Sequence, residues 1–485
     1  VGELIGTPAD VVRAALDRLC HRRIARRRHD RFDLPSDDAR RLTGRISRDE
    51  LAGLRRRAAR YFEDAARRRR PQHATDLGDS FDAIDLRILA GDAGRALTLA
   101  EDLDEAHLKG WGQTGTLTSW LVRLAGELTD PYDRVRNAAL LARALAQQDD
   151  LGPAIAMTRT ALDLNDALEI REVQLRLLVQ MAGYYFDGGH VGAAAEWYEE
   201  VLDLAQDGDP MVAEAHLGVA ICRAETGDLS GALDALDEAA AAGSPEPLTG
   251  ARIGFARATV ACERDEYRRC RDLLQDARAA ADDQNAYVLA GRCDDLSARI
   301  EWLRNDFDEA QASAQRARDA GERTGHPGLS RAARVTLATL FLAHDPVRAL
   351  EEATAATRFD RSPLVAEAFA VRGVALVRTD AGDDLAVEAF AEADRLASGL
   401  LARESGRYLI REVQGLARAG LALLRRGSSE VPAERAYRKA IPHPDVPGAW
   451  HRRRALFRAL VAGRPGALPR LHDLLDGWPP AQSQP

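Results

Sequence analysis

From about residue 80 onward, apolar positions recur every three to four residues in stretches of roughly fifteen, the spacing of amphipathic helices, and the stretches come in pairs joined by short polar turns. In the clearest pair Leu178, Met181, Ala182, Tyr185, Gly189, Ala194, Tyr198 and Val201 give the order large, large-small, aromatic, turn glycine, alanine, aromatic, β-branched. The small residue where two helices would cross returns with its partners as Ala154/Thr158/Ala161, Ala194/Tyr198/Val201, Ala232/Leu236/Ala239, Cys270/Leu274/Ala277, Ala310/Ala314/Ala317, Ala349/Ala353/Ala356, Ala386/Phe390/Ala393 and Ala433/Tyr437/Ala440. Successive intervals of 40, 38, 38, 40, 39, 37 and 47 residues predict a helix-pair repeat somewhat longer than the 34-residue tetratricopeptide unit. Alanine suits the crossing because a larger side chain would hold the two helices apart. Turn signals stand at Gly189, Gly227-Asp228, Asn305-Asp306 and Gly382-Asp383.

The first seventy residues read differently. Thr7-Pro8-Ala9-Asp10 predicts a helix start with the threonine as cap, and Val12, Ala15, Leu16 and Leu19 share its apolar face. A short hairpin is expected over residues 24–34, around a polar arginine-rich turn, and residues 1–6 would belong to a preceding helix. A further helix over residues 48–70 would bury Leu51, Leu54, Ala58, Tyr61, Phe62 and Ala65 and end at Pro71. Residues 110–115 look like a connector followed by one helix over residues 117–128, and the chain beyond Gly463 is Pro-rich and expected to fray. The expected divisions are 1–72, a winged-helix domain lacking its first helix; 73–145, a helical connector; 146–460, the repeat array; and 461–485, a tail. Because the chain opens on Val1, it is expected to be a piece of a longer protein.

Composition supports this picture and splits the charge. Aromatic residues make up 5% and charged residues 29% of 485, a balance that favours helices and excludes an all-β protein. Residues 1–73 carry 20 Arg against 11 Asp and Glu, whereas the remainder carries 47 basic against 65 acidic residues. The basic front is a candidate nucleic-acid or interdomain face through Arg13, Arg26, Arg27, Arg28 and Arg31, although Asp10 and Asp17 on the same helix oppose phosphate binding. Five scattered cysteines, Cys20, Cys222, Cys262, Cys270 and Cys293, fit buried thiols better than disulfides or zinc. No apolar stretch is long enough to span a membrane, so a cytoplasmic protein is expected.

Catalytic signatures are missing. Neither lysine, Lys109 or Lys439, ends a phosphate loop, and no GxGxxG, HExxH or GxSxG occurs, so no enzyme activity, cofactor or metal is expected of this chain. His216 falls at a helix-packing position. Candidate binding residues come from the repeat geometry instead. Counting back eighteen residues from Ala194, Cys270 and Ala310 gives Arg176, Arg252 and Arg292, one position on the inner helix of each pair; Gln180, Phe186, Phe255, Arg299 and Trp302 take other inward offsets. Such a groove would hold an acidic peptide or protein segment, unless the arginines pair with carboxylates such as Glu214, Glu225 and Asp295.

Residues 11–23 with the segment 24–34, followed by alanine-centred long-period repeats, resemble the C-terminal half of bacterial STAND signalling ATPases, including actinobacterial regulators and defence proteins. The resemblance covers nearly the whole chain. It implies an all-α tetratricopeptide-repeat right-handed superhelix with a partial winged helix, in which the repeats sense an inducer or protein partner and the winged helix controls an upstream nucleotide-binding domain absent here. Two other classes fit the same elements: a transcription regulator whose winged helix binds DNA, and a passive adaptor scaffold.

Overall fold

The computed structural model describes residues 8–22, 25–28, 31–33, 44–71, 74–206, 208–243, 248–359, 365–425, 429–440, 447–464 and 466–476. Two compact units emerge: residues 1–108 with 116–141, and residues 109–115 with 142–485.

In the first unit the helix Ala9–His21 starts one residue later than expected. Pro8 occupies the cap position and no side chain caps it, while Thr7 and residues 1–6 lie outside the described residues. The hairpin is present, with Arg26–Arg28 antiparallel to Arg31–Asp33 and Arg27 opposite Phe32. Ser47-Arg48-Asp49-Glu50 forms a true helix start: the Ser47 hydroxyl accepts from the Glu50 amide at 3.2 Å and opens the helix Arg48–Arg67. That helix covers most of the expected face in part: Leu51, Leu54, Ala58, Phe62 and Ala65 are half-buried, whereas Tyr61 is 43% exposed and the fully buried positions are Ala59 and Glu63. The burial of Glu63 is electrostatic in origin. Glu63 accepts from Arg87 (2.7 and 2.9 Å) and Arg95 (3.0 Å), so the helix turns its carboxylate inward. Burial alone would raise the Glu63 pKa, yet the hydrogen bonds from Arg95 and Arg87 hold it below the ordinary carboxylate value. The helices Gly78–Leu89, Ala93–Leu103 and Thr118–Ala125 complete this unit, together with the first part of Pro131–Gln147.

The second unit is built of helix pairs. After Pro131–Gln147 and Leu151–Asp166 come Arg171–Asp187 with Val191–Leu204, Met211–Thr226 with Leu229–Ala242, Thr249–Glu263 with Tyr267–Asp283, and Tyr287–Leu303 with Phe307–Thr324. Pro327–Phe341 with Pro346–Ala356, Ala366–Thr379 with Asp383–Arg403, and Tyr408–Leu424 with Val431–Lys439 follow. All eight crossing triplets are buried except for Tyr198, which is half-buried. The turns explain the regular period: a left-handed residue stands at Asp149, Gly189, Gly227, Asp265 and Asn305, five positions before the crossing residue each time. Asp and Asn tolerate that conformation through local side-chain hydrogen bonding, so the turn survives without glycine.

The end of the array departs from expectation. Pro447–Val461 and Pro469–Asp476 form one more pair, and Leu471 and Leu475 are fully buried instead of fraying. Pro469 takes the first helical position, where its missing amide costs nothing, and Leu468, Leu471 and Leu475 face inward at helical spacing. Residues 477–485 lie outside the described residues.

Repeats far apart in sequence also meet. Arg407 reaches Glu225 at 3.0 Å, the Gly192 amide donates to Glu404 Oε1 at 2.8 Å, and Arg452 reaches Glu263 at 3.1 Å. The helix Pro447–Val461 is seated on Thr249–Glu263 so closely that a Cβ at Gly448 would lie 2.2 Å from the Cys262 carbonyl oxygen. The later pairs thereby contact the earlier ones directly.

Candidate functional site

The inner helix of each pair presents one residue eighteen positions before its crossing residue, and the sequence at that register reads Arg176, Glu214, Arg252, Arg292, Arg331. The ladder is not uniformly basic. Glu214, buried, accepts from Arg252 on the next repeat and from Thr249 Oγ1 at 2.8 Å. Arg176 pairs with Glu172 at 2.6 Å on an exposed surface. Both arginines are therefore engaged by acids: Arg252 by Glu214, one of the carboxylates named as its alternative partner, and Arg176 by Glu172, which was not among them. Arg292, exposed, and Arg331, half-buried, make no ion pair or hydrogen bond among the described residues.

The other candidates have structural neighbours. Gln180 donates to the Tyr184 hydroxyl at 2.7 Å; Phe186 packs against Val191, Ala194 and Cys222; Phe255 packs on Cys262, Cys270 and Leu274. Trp302 joins the core of the later repeats instead of standing free as an apolar anchor. Arg299 lies 3.4 Å from Asp295, and it faces the inner space. At the front, Arg13 is exposed, as are Asp10 and Asp17 beside it. Arg26, Arg27, Arg28 and Arg31 are placed by their backbone only, their side chains lying outside what the structure describes.

That space is a cavity of about 270 Å³ between the helices Pro327–Phe341, Ala366–Thr379, Tyr408–Leu424 and Pro447–Val461. Five arginines and three glutamates line it, interleaved with Val335, Val371, Val413, Leu416 and Leu456. Most of the charge is neutralised locally. Arg407 is held by Glu225, Arg452 by Glu263 and Glu412 (3.1 and 3.2 Å), and Arg453 by Glu412 and the Ala440 carbonyl (both 2.6 Å). Burial would lower the Arg452 pKa, but Glu263 and Glu412 hold it well above its ordinary value. Arg331 behaves in the opposite way: burial draws its pKa below the ordinary guanidinium value, only partly offset by Asp149, Glu367 and Asp187. Its Nη1 is shielded from solvent with no acceptor among the described residues, as are Arg407 Nε and Nη1 and Arg453 Nε, but Arg407 and Arg453 keep ion pairs through their other nitrogens.

Arg331 is the residue the sequence reading missed. The signal was there, since Arg331 stands eighteen positions before Ala349, one repeat beyond the three that were counted.

The surrounding titratable groups follow from desolvation. Asp187 is exposed at the end of the helix Arg171–Asp187, and desolvation by the surrounding chain raises its pKa against the pull of Arg292 and Arg331. Burial pushes the Cys222 and Cys293 thiols up to about 12, and four of the five cysteines are buried, with Cys20 half-exposed. His216 is half-buried and sits 3.0 Å from Glu238. His326 caps the helix that carries Arg331: its Nδ1 accepts from the Leu329 amide at 3.2 Å, which only the neutral ring can do. Burial, then the charges of Arg292 and Arg331, lower its pKa to about 4. Between there and the unfolded value of ~6.5, the unfolded chain holds a proton that the folded chain does not. Stability should thus be full above that window and fall as pH drops through it. Melting curves from pH 7.5 to 4.5 should show a steeper decline for the native chain than for H326N, which keeps a capping oxygen but cannot titrate. Parallel declines would show that the histidine cap is not the sensitive group.

No family model and no curated protein matches the sequence. Solved structures do resemble the fold. The Rap protein complexed with competence and sporulation factor is 12% identical over 73% of this chain and 98% of its own, with a TM-score of 0.52. The chain is an all-α tetratricopeptide-type solenoid. A STAND protein with a tetratricopeptide repeat sensor from Pyrococcus horikoshii is 12% identical over 80% of this chain and 59% of its own, with a TM-score of 0.44. A tetratricopeptide repeat protein from Parabacteroides merdae is 14% identical over 58% of this chain and 98% of its own, at 0.34. Among the described residues no helix is long and apolar enough to cross a membrane.

Proposed function

We propose that this chain is the sensor region of a cytoplasmic STAND-type signalling protein: its solenoid recognises an inducer or protein partner on the inner face, and its basic front unit, read as a partial winged helix, relays that event to an upstream ATPase. The observation that carries the reading is the inner cavity, partly open to solvent, where among the described residues Arg331 and Glu367 make no hydrogen bond or ion pair while the neighbouring arginines are ion-paired. A passive scaffold has no use for a half-buried guanidinium that lacks a direct acid partner, because desolvating one is costly. The chain itself is read as non-catalytic. The Rap protein is known in complex with competence and sporulation factor, and recognition of a factor on the inner face is the mode proposed for this solenoid.

The test is the longer reading frame. The sensor reading expects a phosphate loop ending in Lys-Ser or Lys-Thr upstream of Val1, ATP binding by the longer protein and none by residues 1–485 alone in isothermal titration. It also expects ATP turnover to change when the array is occupied. A complete DNA-binding domain upstream, with salt-dependent operator binding lost on replacing Arg26, Arg27 and Arg28 by Ala, would select the transcription regulator instead.

A further inference from the structure

We infer that the inner cavity binds a small zwitterion with an aliphatic body, of the class of a free branched-chain amino acid or its dipeptide, with the carboxylate on Arg331 and the ammonium on Glu367. The inference rests on the reading of the inner face as the recognition surface and adds the chemistry of the occupant.

Charge bookkeeping of the wall leads to it. Arg299 has Asp295, Arg407 has Glu225, Arg452 has Glu263 and Glu412, and Arg453 has Glu412. After those pairs, Arg331 and Glu367 are the lining charges that make no ion pair or hydrogen bond among the described residues, with each other or with another group; only the longer-range attraction of Asp149, Glu367 and Asp187 acts on Arg331. An anion alone would leave Glu367 facing it; a cation alone would leave Arg331 without an acceptor. A ligand bearing both charges satisfies both, and the shielded Nη1 of Arg331 gains the acceptor it lacks.

The apolar part follows from helical spacing. Val335 is one turn beyond Arg331 on the helix Pro327–Phe341, and Val371 is one turn beyond Glu367 on Ala366–Thr379, so each charge is followed on its own helix face by a valine. Val413 and Leu416 add an aliphatic wall from Tyr408–Leu424. Two opposite charges on a wall that also carries branched aliphatic side chains match the charged groups and the side chain of an α-amino acid. At about 270 Å³ the cavity is at the small end for ligand sites, which suits one or two residues and excludes a long peptide buried whole.

Isothermal titration of the full chain with four probes tests this. L-leucine or L-leucyl-L-leucine should give saturable binding, and which of the two is tighter separates the free amino acid from the dipeptide. N-acetyl-L-leucine, lacking the ammonium, and L-leucinamide, lacking the carboxylate, should each bind about tenfold more weakly or worse, the loss expected for one charge-assisted hydrogen-bonded contact. R331M should lose the same factor for L-leucine but not for leucinamide. E367Q should lose it for L-leucine but not for N-acetyl-L-leucine. No saturable binding of either zwitterion, or equal binding of all four probes to the native chain, would overturn the assignment, and that comparison stands even where a variant fails to fold. The two readings fail separately: the titration is made on residues 1–485 alone, whereas the sensor reading is decided by ATP turnover of the longer protein.

Discussion

E412A should be among the most destabilising single changes in the solenoid, lowering unfolding free energy by about 3–5 kcal/mol, the cost of removing one partner from a buried ion pair. Glu412 is 8% exposed, accepts from half-buried Arg452 and forms an ion pair with buried Arg453. Without it Arg453 retains only the Ala440 carbonyl, and Arg452 retains only Glu263 on a helix 189 residues away in sequence. Arg453 would then have no carboxylate partner among the described residues, in a site that water reaches poorly. E172A is the control. Its partner Arg176 is 60% exposed and Glu172 71%, so the loss should stay within about 0.5 kcal/mol. Urea unfolding followed by circular dichroism measures both; because repeat arrays can unfold in stages, the E412A effect should fall on the transition of the C-terminal pairs. Equal midpoints for the two variants would mean that the contact of late repeats with early ones is held by packing alone.

The solenoid was legible because its information is local. A crossing alanine, a turn five residues before it and an apolar face at helical spacing all lie within one 40-residue window, and the buried triplets fall where the periodicity puts them. The inner chemistry was only half legible, since an offset from the crossing residue names the face a side chain occupies but not what it meets there. Glu214 stands at the same register as the arginines, and it alone converts Arg252 from a free cation into half of a pair. Arg407 with Glu225 and Arg452 with Glu263 depend on contacts across 182 and 189 residues, which no repeat arithmetic contains. In the front unit the error was of another kind. Tyr61 was assigned inward by hydrophobicity, while Glu63, polar on any scale, is buried because Arg87 and Arg95 come from other helices to meet it.

The aromatic position of the repeat supplies the second large effect, because its ring occupies space that a neighbouring glycine leaves open. Phe390 is fully buried between two inner helices: a Cβ at Gly420 would lie 2.3 Å from its ring and one at Gly373 2.6 Å. Tyr198 stands over Gly218 and Tyr437 over Gly415 in the same way, at 2.3 and 2.8 Å. Helix propensity alone favours Ala over Gly by about 1 kcal/mol. G399A, at an exposed helical position with nothing within 4 Å, should therefore stabilise by about 0.5–1 kcal/mol. G420A should do the reverse. A methyl group 2.3 Å from a ring that has no room to retreat forces the helices apart, at an overpacking cost of about 1–3 kcal/mol that exceeds the propensity gain at its upper end. F390A, emptying the same site, should cost about 3–5 kcal/mol. The decisive measurement is the double variant F390L/G420A: a smaller side chain beside the new methyl should make its loss less than the sum of the F390L and G420A losses, by about 0.5–3 kcal/mol. Strict additivity would show that the glycine and the ring do not share one space, and the aromatic and glycine positions of the repeat would then be independent features of the sequence.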